Sequence, residues 1–219
     1  MSAGEDDTRF ATGSGGGFAA GSSLSDRRLE LAEDAFRLKD EPRGGWVLRG
    51  VRDAESVADH SWGTAFLCLL YGEEAGIDRD GAVTMALVHD LAEAVTGDVV
   101  ARADASDRTV SEVAKAALES AAMDRLVPPG VEGLRSAWQA YEDRSDATAL
   151  FVRDMNLVDM CLQAVIYHEQ SRYDADVVVP SKGGYTHLDE FFASARERLS
   201  TPLGRRLFAA LETRYLASR

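Results

Sequence analysis

The stretch A-L-V-H-D-L-A-E-A-V-T-G-D, residues 86–98, constrains most strongly what this chain can fold into and do. It places His89 and Asp90 side by side in an apolar helical segment, with Glu93 one turn further on and Asp98 just beyond a Thr-Gly stop. Four side chains able to bind a metal or carry a proton are expensive to bury without a chemical purpose. The stretch therefore predicts one half of a metal site.

The other half must come from elsewhere, because adjacent residues on one helix cannot surround an ion. One candidate is E-S-V-A-D-H-S-W, which contains His60, and another is F-V-R-D-M-N-L-V-D-M, which contains Asn156. Mixed imidazole and carboxylate ligands suit Mn, Fe, Co, Ni or Zn better than Ca or Mg. Such an ion can lower the pKa of a bound water toward neutrality and present hydroxide to an electrophile such as phosphorus. Glu93 is not needed as a ligand and can take or give the proton.

Composition limits the partners and the compartment. The 219 residues suffice for one domain, and 37 acidic against 24 basic residues give a formal charge of −13, which argues against polymeric nucleic acid as a substrate. Only two cysteines occur, Cys68 and Cys161, and neither lies in a C-x-x-C motif. We read them as buried hydrophobes in a reducing cytoplasm. With no apolar run of roughly 18 residues and no leader pattern, we expect neither membrane insertion nor secretion.

Periodicity predicts an all-α fold. We expect residues 1–23, rich in Gly, Ser and acids, to be a disordered tail, and residues 24–219 to form one helical domain. The exposed apolar stripes expected on the last helices would suit a dimer. Helical spacing of apolar residues recurs at 24–39, 54–75, 80–95, 106–127, 131–171 with a bend near 144–146, 188–199 and 202–218.

The loop between the first two helices, residues 40–50, carries Arg43, Trp46 and Arg49. In an acidic protein, two arginines flanking an aromatic can clamp a phosphate and stack on a base. A solvated loop with one anchoring tryptophan is an equally good reading. The composition of the loop leaves both readings open.

Together, these motifs resemble those of the HD-domain superfamily of metal-dependent phosphohydrolases, and within it the 5'-deoxynucleotidases that act on deoxynucleoside monophosphates. The resemblance covers roughly residues 31–167. It includes L-K-x-x-P-R-x-G-W-x-x-R at residues 38–49 with a one-residue difference in loop length, then E-S-V-x-D-H-S, A-L-V-H-D-x-A-E-x-x-x-G-D and a late F-V-x-x-x-x-x-x-x-M-x-L-Q-A. The resemblance implies a largely helical homodimer that uses one divalent transition metal such as cobalt or manganese.

The resemblance also implies roles for individual residues. His60, His89 and Asp90 match metal ligands. Glu93 and Asp98 match acids that position or activate water and contact the substrate. Arg43, Trp46 and Arg49 match residues of the family's substrate-side loop.

One residue departs from the family pattern. Where the family places an aspartate as its fourth protein ligand, this chain has Asn156. An amide oxygen can coordinate a divalent ion but brings no charge, so we expect weaker metal binding. Asp159, about 60 degrees further around the helix, is a reserve ligand, whereas Asp154 points to the opposite side. We expect His168 and His187, outside the motifs, to be dispensable.

The leading hypothesis is a phosphomonoesterase that acts on the 5'-phosphate of a small nucleotide. Arg43 or Arg49 would neutralise the phosphate charge, while Glu93 or Asp98 would manage protons. One alternative is a nucleotide pyrophosphohydrolase or triphosphohydrolase acting on a specialised nucleotide. Another is a nucleotide-binding pseudo-enzyme in which Asn156 has weakened the metal site.

Overall fold

The computed structural model describes residues 23–100, 102–176 and 183–219. Within these ranges the chain is helical, and the only β-type pairing is a single bridge between Pro42 and Ser56. The all-α prediction is therefore confirmed. The predicted tail lies outside the described residues except for Ser23, and residues 177–182 of the loop before the last two helices lie outside them as well.

Ten α-helices follow one another in the described part of the chain. They are α1 (Leu24–Phe36), α2 (Gly44–Leu48), α3 (Val57–Ala75), α4 (Arg79–Val88), α5 (Glu93–Thr96), α6 (Glu112–Leu126), α7 (Glu132–Asp143), α8 (Ala147–Glu169), α9 (Asp189–Arg196) and α10 (Pro202–Ala217). Single 3-10 turns occur at Arg37–Lys39 and Ala105–Asp107. No described helix is long and apolar enough to cross a membrane.

Local sequence explains most of the helix starts. Ser56 and Asp59 form a capping box at the start of α3, with the Ser56 side chain accepting from the Asp59 amide and the Asp59 carboxylate accepting from the Ser56 amide. This cap places His60 in the first turn of α3. Comparable side-chain caps by Ser23, Asp78, Ser111, Asp146 and Thr201 start α1, α4, α6, α8 and α10.

Three predicted helices differ from the observed ones. The predicted helix 80–95 is interrupted by a turn at residues 89–92, so His89 caps the C-terminus of α4 and Asp90 lies in the turn rather than within a helix. The long helix 131–171, for which a bend near 144–146 is predicted, is two helices that separate at that point, because Arg144 adopts a left-handed conformation with φ of 52°. The helix predicted from residue 106 begins only after Ser111.

The predicted loop 40–50 also contains structure, since Gly44–Leu48 forms the short helix α2. Trp46 anchors this helix in the core with 2% of its surface exposed. The pattern missed α2 because a single turn with two glycines has little intrinsic helix propensity, and tertiary packing of the tryptophan stabilises it instead.

The central element is α8, which packs against α3, α4, α7, α9 and α10. Its buried positions lie around most of its circumference and belong to two of the three apolar clusters of the core. The third cluster joins α1, α5, α6 and α7. Gly63 of α3 permits a close approach to α8, because a Cβ atom there would collide with the carboxylate of Asp159.

The large exposed apolar side chains do not follow the expected distribution. In α9 and α10 only Leu216 belongs to this set, so the prediction of apolar stripes on the last helices is wrong. Both helices turn their apolar faces toward α8. Instead, one face of α3 carries such a set, at Trp62, Phe66, Leu69 and Leu70.

Candidate metal centre and nucleotide pocket

Two histidines from different helices converge at the centre of the fold. His60 from α3 and His89 from the end of α4 are both buried, and their ring centroids lie 5.3 Å apart. The carboxylate Oδ2 of Asp90 lies 3.1 Å from His89 Nε2 and 3.7 Å from His60 Nε2. The ligand atoms of these three residues all lie within 4.8 Å of one another, so the structure brings together three predicted ligands.

The other ring nitrogen of each histidine is already committed. His89 Nδ1 lies 2.7 Å from the carbonyl oxygen of Ala86, which only accepts, so Nδ1 carries the proton. His60 Nδ1 lies 2.6 Å from Asp159 Oδ2, and one proton must lie between these two atoms. Hydrogen bonds of this kind fix the ring orientation and tautomer of a metal-binding histidine.

The Nε2 atoms of His60 and His89 are buried and have no hydrogen-bond partner. Burial, and after it the positive charge of Arg43, lowers the pKa of His60 to about 3, so its imidazole is neutral at physiological pH. Two buried imidazole nitrogens without a hydrogen bond, facing a carboxylate, are a donor set that suits a divalent transition metal. The described residues thus fit a metal ion.

A second group of metal-competent side chains shares His60 and consists of Glu55, His60 and Asp159. One oxygen of each carboxylate already has a partner, because Asp159 Oδ2 lies 2.6 Å from His60 Nδ1 and Glu55 Oε1 accepts a hydrogen bond of 2.8 Å from Trp46 Nε1. Burial raises the pKa of both carboxyl groups. The structure therefore places Asp159 behind His60, as a group that orients the ligand, rather than in the reserve ligand position.

Asn156 lies on α8 beside this centre. Its Nδ2 donates a hydrogen bond of 2.7 Å to the hydroxyl of Tyr141, whose ring lies 5.1 Å from that of His89. Because the amide nitrogen is used in this way, the amide oxygen is the atom left for a cation. Asp154 lies elsewhere, accepting from the backbone amides of Ser200 and Thr201 at the start of α10.

The metal centre opens into a cavity of about 330 Å³. Its lining includes Tyr141 and several predicted site residues: Arg43, Trp46, His89, Asp90, Glu93, Asp98 and Asn156. Seven of the nine predicted site residues thus line one cavity, and His60 is buried next to His89. Arg49 is the exception.

Arg49, the other arginine predicted for the substrate side, does not line this cavity. Its guanidinium group is buried against Glu190, with Nη2 2.5 Å from Oε2, and Nη1 donates to the carbonyl oxygen of Tyr185 at 3.2 Å. Arg49 and Glu190 line a separate cavity of about 20 Å³. Arg49 therefore ties α2 to α9, and the neighbouring Arg43 is the arginine of this loop that reaches the metal centre.

Arg43 connects the acids of the site. Its Nη1 lies 3.1 Å from Asp90 Oδ2, 3.9 Å from Glu93 Oε2 and 3.9 Å from Asp98 Oδ1. Desolvation opposes the charged form of Arg43, but the three carboxylates outweigh it and raise the pKa of Arg43. The other oxygen of Asp98 accepts a hydrogen bond of 2.7 Å from the Gly44 amide, which fixes the start of α2.

Glu93 is buried, and its Oε2 has no hydrogen-bond partner. Burial, together with the carboxylates of Asp90 and Asp98, raises the pKa of Glu93 well above its ordinary value. Lys115 of α6 opposes this effect, with Nζ 3.7 Å from Glu93 Oε1 and 3.3 Å from Glu119 Oε1. A buried acid with one free oxygen in a cavity is suited to proton transfer.

Trp46 forms an apolar part of the cavity wall. Its ring stacks on Phe191 with centroids 3.9 Å apart and meets Tyr167 edge-on at 5.2 Å. Leu157 and Met160 line the same cavity. With 2% of its surface exposed and its indole N–H bound to Glu55, Trp46 supports this apolar wall from within the core.

Sequence reasoning missed several residues of the site. Neither Lys115 nor Tyr141 lies in a recognisable motif. The four-residue spacing of Lys115 and Glu119 could have predicted that these two side chains pair. His168 and His187 lie outside the lining of the cavity, and each approaches the hydroxyl of Tyr173.

Comparisons with known proteins agree with this geometry. The HD domain family matches residues 35–192. The chain is 34% identical over 188 residues to the 5'-deoxynucleotidase HDDC2 of Bos taurus, which covers 84% of this chain and 83% of that protein. It is 36% identical over 145 residues to the 5'-deoxynucleotidase HDDC2 of Homo sapiens, covering 64% of this chain and 68% of that protein.

A solved structure is similar as well. The PH0347 protein from Pyrococcus horikoshii OT3 is 29% identical, with a TM-score of 0.64 over 86% of this chain and 98% of that chain. The similarity extends over almost the whole length of that protein, so the helical arrangement described above is shared.

The contact between Asp159 and His60 yields a prediction about metal binding. Asp159→Asn keeps the size of the side chain but removes the charge that holds the Nδ1 proton. We expect the affinity for Co²⁺ or Mn²⁺ to fall by about 10- to 100-fold, measured by calorimetric titration of protein stripped with a chelator. Asp124→Asn, at an exposed position paired with Arg135, is the matched control. Unchanged affinity in Asp159→Asn would show that the contact does not orient His60.

Proposed function

This chain belongs to the HD-domain family, and from that premise we propose that it is a metal-dependent phosphohydrolase that removes the 5'-phosphate from deoxynucleoside monophosphates. The observation that carries the proposal is the pair of buried Nε2 atoms, of His60 and His89, without hydrogen-bond partners beside the carboxylate of Asp90. The names of the 5'-deoxynucleotidase relatives support the choice of substrate.

The metal would be held by His60, His89, Asp90 and the amide oxygen of Asn156. A divalent ion bound there supplies Lewis acidity, which polarises a phosphoryl oxygen and makes water more acidic. We propose a transition metal, with cobalt or manganese preferred over iron, nickel or zinc. The donor set of two imidazoles, one carboxylate and one amide supports this class of ion.

The other charged residues act on the phosphate and on protons. Arg43, at the mouth of the metal centre, neutralises charge on the phosphoryl oxygens, and its position is fixed by Asp98 through the Gly44 amide. Glu93 receives or returns the proton at its free Oε2. Lys115 keeps positive charge beside Glu93. Trp46 supports the nucleoside.

The charge of the chain supports a small nucleotide as substrate rather than polymeric nucleic acid, since the formal charge is −13. We propose a reducing, cytoplasmic location, because Cys68 and Cys161 are both buried and free. Fractionation of cells that express the chain checks the location, and recovery in an oxidising compartment would contradict it.

The function itself is tested by phosphate release. Protein stripped of metal and then supplied with Co²⁺ or Mn²⁺ is expected to release orthophosphate from deoxynucleoside monophosphates. Glu93→Gln should lower kcat by about 100-fold or more, because the amide cannot carry the proton. Glu74→Gln, on the outer surface of α3, serves as the control. If Glu93→Gln turns over at the native rate, the assignment of Glu93 is wrong, and absence of release from every monophosphate would overturn the function.

Asn156 yields a second test of the same centre. Asn156→Asp adds a negative charge beside a divalent ion, and the Tyr141 hydroxyl can donate to the new carboxylate. We expect the affinity for Co²⁺ or Mn²⁺ to rise about tenfold or more, whereas Asn156→Leu, which removes the oxygen, should lower it. Titration calorimetry gives both values. If neither change alters the affinity, Asn156 is not a ligand.

We propose that the chain forms a homodimer through the exposed apolar face of α3. Trp62 and Phe66 stack there with ring centroids 5.5 Å apart, and their exposed fractions are 66% and 48%. An exposed apolar patch of this kind is typical of a surface that binds another protein chain. Sedimentation velocity should give twice the chain mass, and Phe66→Glu should give one chain mass. Val113→Glu, at a position that is 82% exposed, should remain dimeric, and a monomeric native chain would contradict the proposal.

A further inference from the structure

Four arginines line the cavity away from the metal ligands. Arg108 precedes α6, Arg144 ends α7, Arg153 lies on α8 and Arg198 follows α9. The proposed function assigns no role to any of them. Four separate segments thus bring guanidinium groups to one cavity, although no local sequence pattern groups them.

Three of these arginines lack an anionic partner among the described residues. Arg108 pairs with Glu112 at 2.6 Å, but Arg144, Arg153 and Arg198 make neither an ion pair nor a side-chain hydrogen bond there. The guanidinium group of Arg153 lies over the ring of Tyr141, 5.0 Å from its centroid. Arg144 and Arg198 are exposed and Arg153 is half-buried, so a ligand can reach all three.

The unpaired arginines also act on one another. The pKa of Arg198 is lowered, first by desolvation and then by the positive charges of Arg153, Arg144 and Arg108. Guanidinium groups held close together without a counter-charge repel one another. An anion bound among them would remove this repulsion.

The described carboxylates in the same part of the cavity wall do not form ion pairs with Arg144, Arg153 or Arg198. Glu112 pairs with Arg108 and Glu119 pairs with Lys115. Glu142 also lines the cavity, and its pKa is raised, mainly by desolvation, which the charge of Arg153 opposes. This part of the wall thus carries five basic side chains against three carboxyl groups.

The arginines adjoin the metal centre through one aromatic ring. Tyr141 lies between them, with its ring centroid 5.1 Å from that of His89 and 5.0 Å from the guanidinium carbon of Arg153. A ligand with one phosphoryl group at Arg43 and the histidines therefore has the arginines beside it in the same cavity. Arginine is the side chain best suited to binding phosphate oxygens, since its planar group donates two parallel hydrogen bonds.

We propose that Arg144, Arg153 and Arg198 form a second phosphate subsite, which binds a further phosphoryl group of a nucleoside di- or triphosphate. The proposal rests on the proposed function for the placement of the first phosphoryl group. It extends the class of nucleotides that the cavity binds beyond monophosphates.

The test compares the binding of dAMP and dATP. Titration calorimetry on chelator-treated protein at 0.15 M salt avoids turnover, and the native chain should bind dATP at least about tenfold more tightly than dAMP. The double variant Arg153→Gln/Arg198→Gln should lose this preference while its affinity for dAMP changes little. Arg214→Gln, which disrupts an ion pair with Glu169 on the outer surface, should keep it.

Two results would overturn the subsite. One is equal affinity of the native chain for dAMP and dATP, and the other is a preference for dATP that survives the double change. Arg144→Gln alone should reduce the preference for dATP in part. Because Arg144 is exposed, this single variant tests the subsite even if the double variant misfolds. Phosphate release from dAMP with Mn²⁺, measured separately, reports on the proposed function. Failure there with an intact dATP preference would leave the subsite standing.

Discussion

The site depends on how two buried imidazole rings use their Nδ1 atoms. His89 donates to the Ala86 carbonyl one turn earlier, and His60 shares a proton with Asp159 across the interface of α3 and α8. Each contact orients its ring so that Nε2 faces Asp90. Because burying an imidazole nitrogen without a hydrogen bond is unfavourable, this arrangement favours the binding of a divalent cation.

Three side chains of α8 lie at the site. Asp159 is bound to His60 Nδ1, Asn156 donates to the hydroxyl of Tyr141, and the guanidinium group of Arg153 lies over the ring of Tyr141. A rigid helix buried around most of its circumference can hold these three groups in a fixed relation. If Asn156 is the fourth ligand, as we propose, its neutral amide changes the charge of the metal centre while the scaffold is held by the same helix.

The all-α class and the metal-binding motifs were predictable because they are local. Helical periodicity indicates helices, and the capping box S-V-A-D explains why His60 stands in a first helical turn. The break at residues 89–92 was not predictable, since the apolar pattern continues through it and only the tertiary position of His89 requires it. The same holds for Arg49, whose partner Glu190 lies 141 residues further along the chain. Lys115, Tyr141 and the cavity arginines come from α8 and three further segments, and no spacing within one segment could have grouped all of them.

The most direct measurement is the position of the metal itself, obtained by anomalous X-ray diffraction at the cobalt absorption edge from crystals of the chain loaded with Co²⁺. The account predicts one peak on the Nε2 side of His60, shared with His89 Nε2, the Asp90 carboxylate and the Asn156 amide oxygen. A peak on the Nδ1 side of His60, between Glu55 and Asp159, would contradict it. So would full loading elsewhere on the chain with no peak between the two histidines.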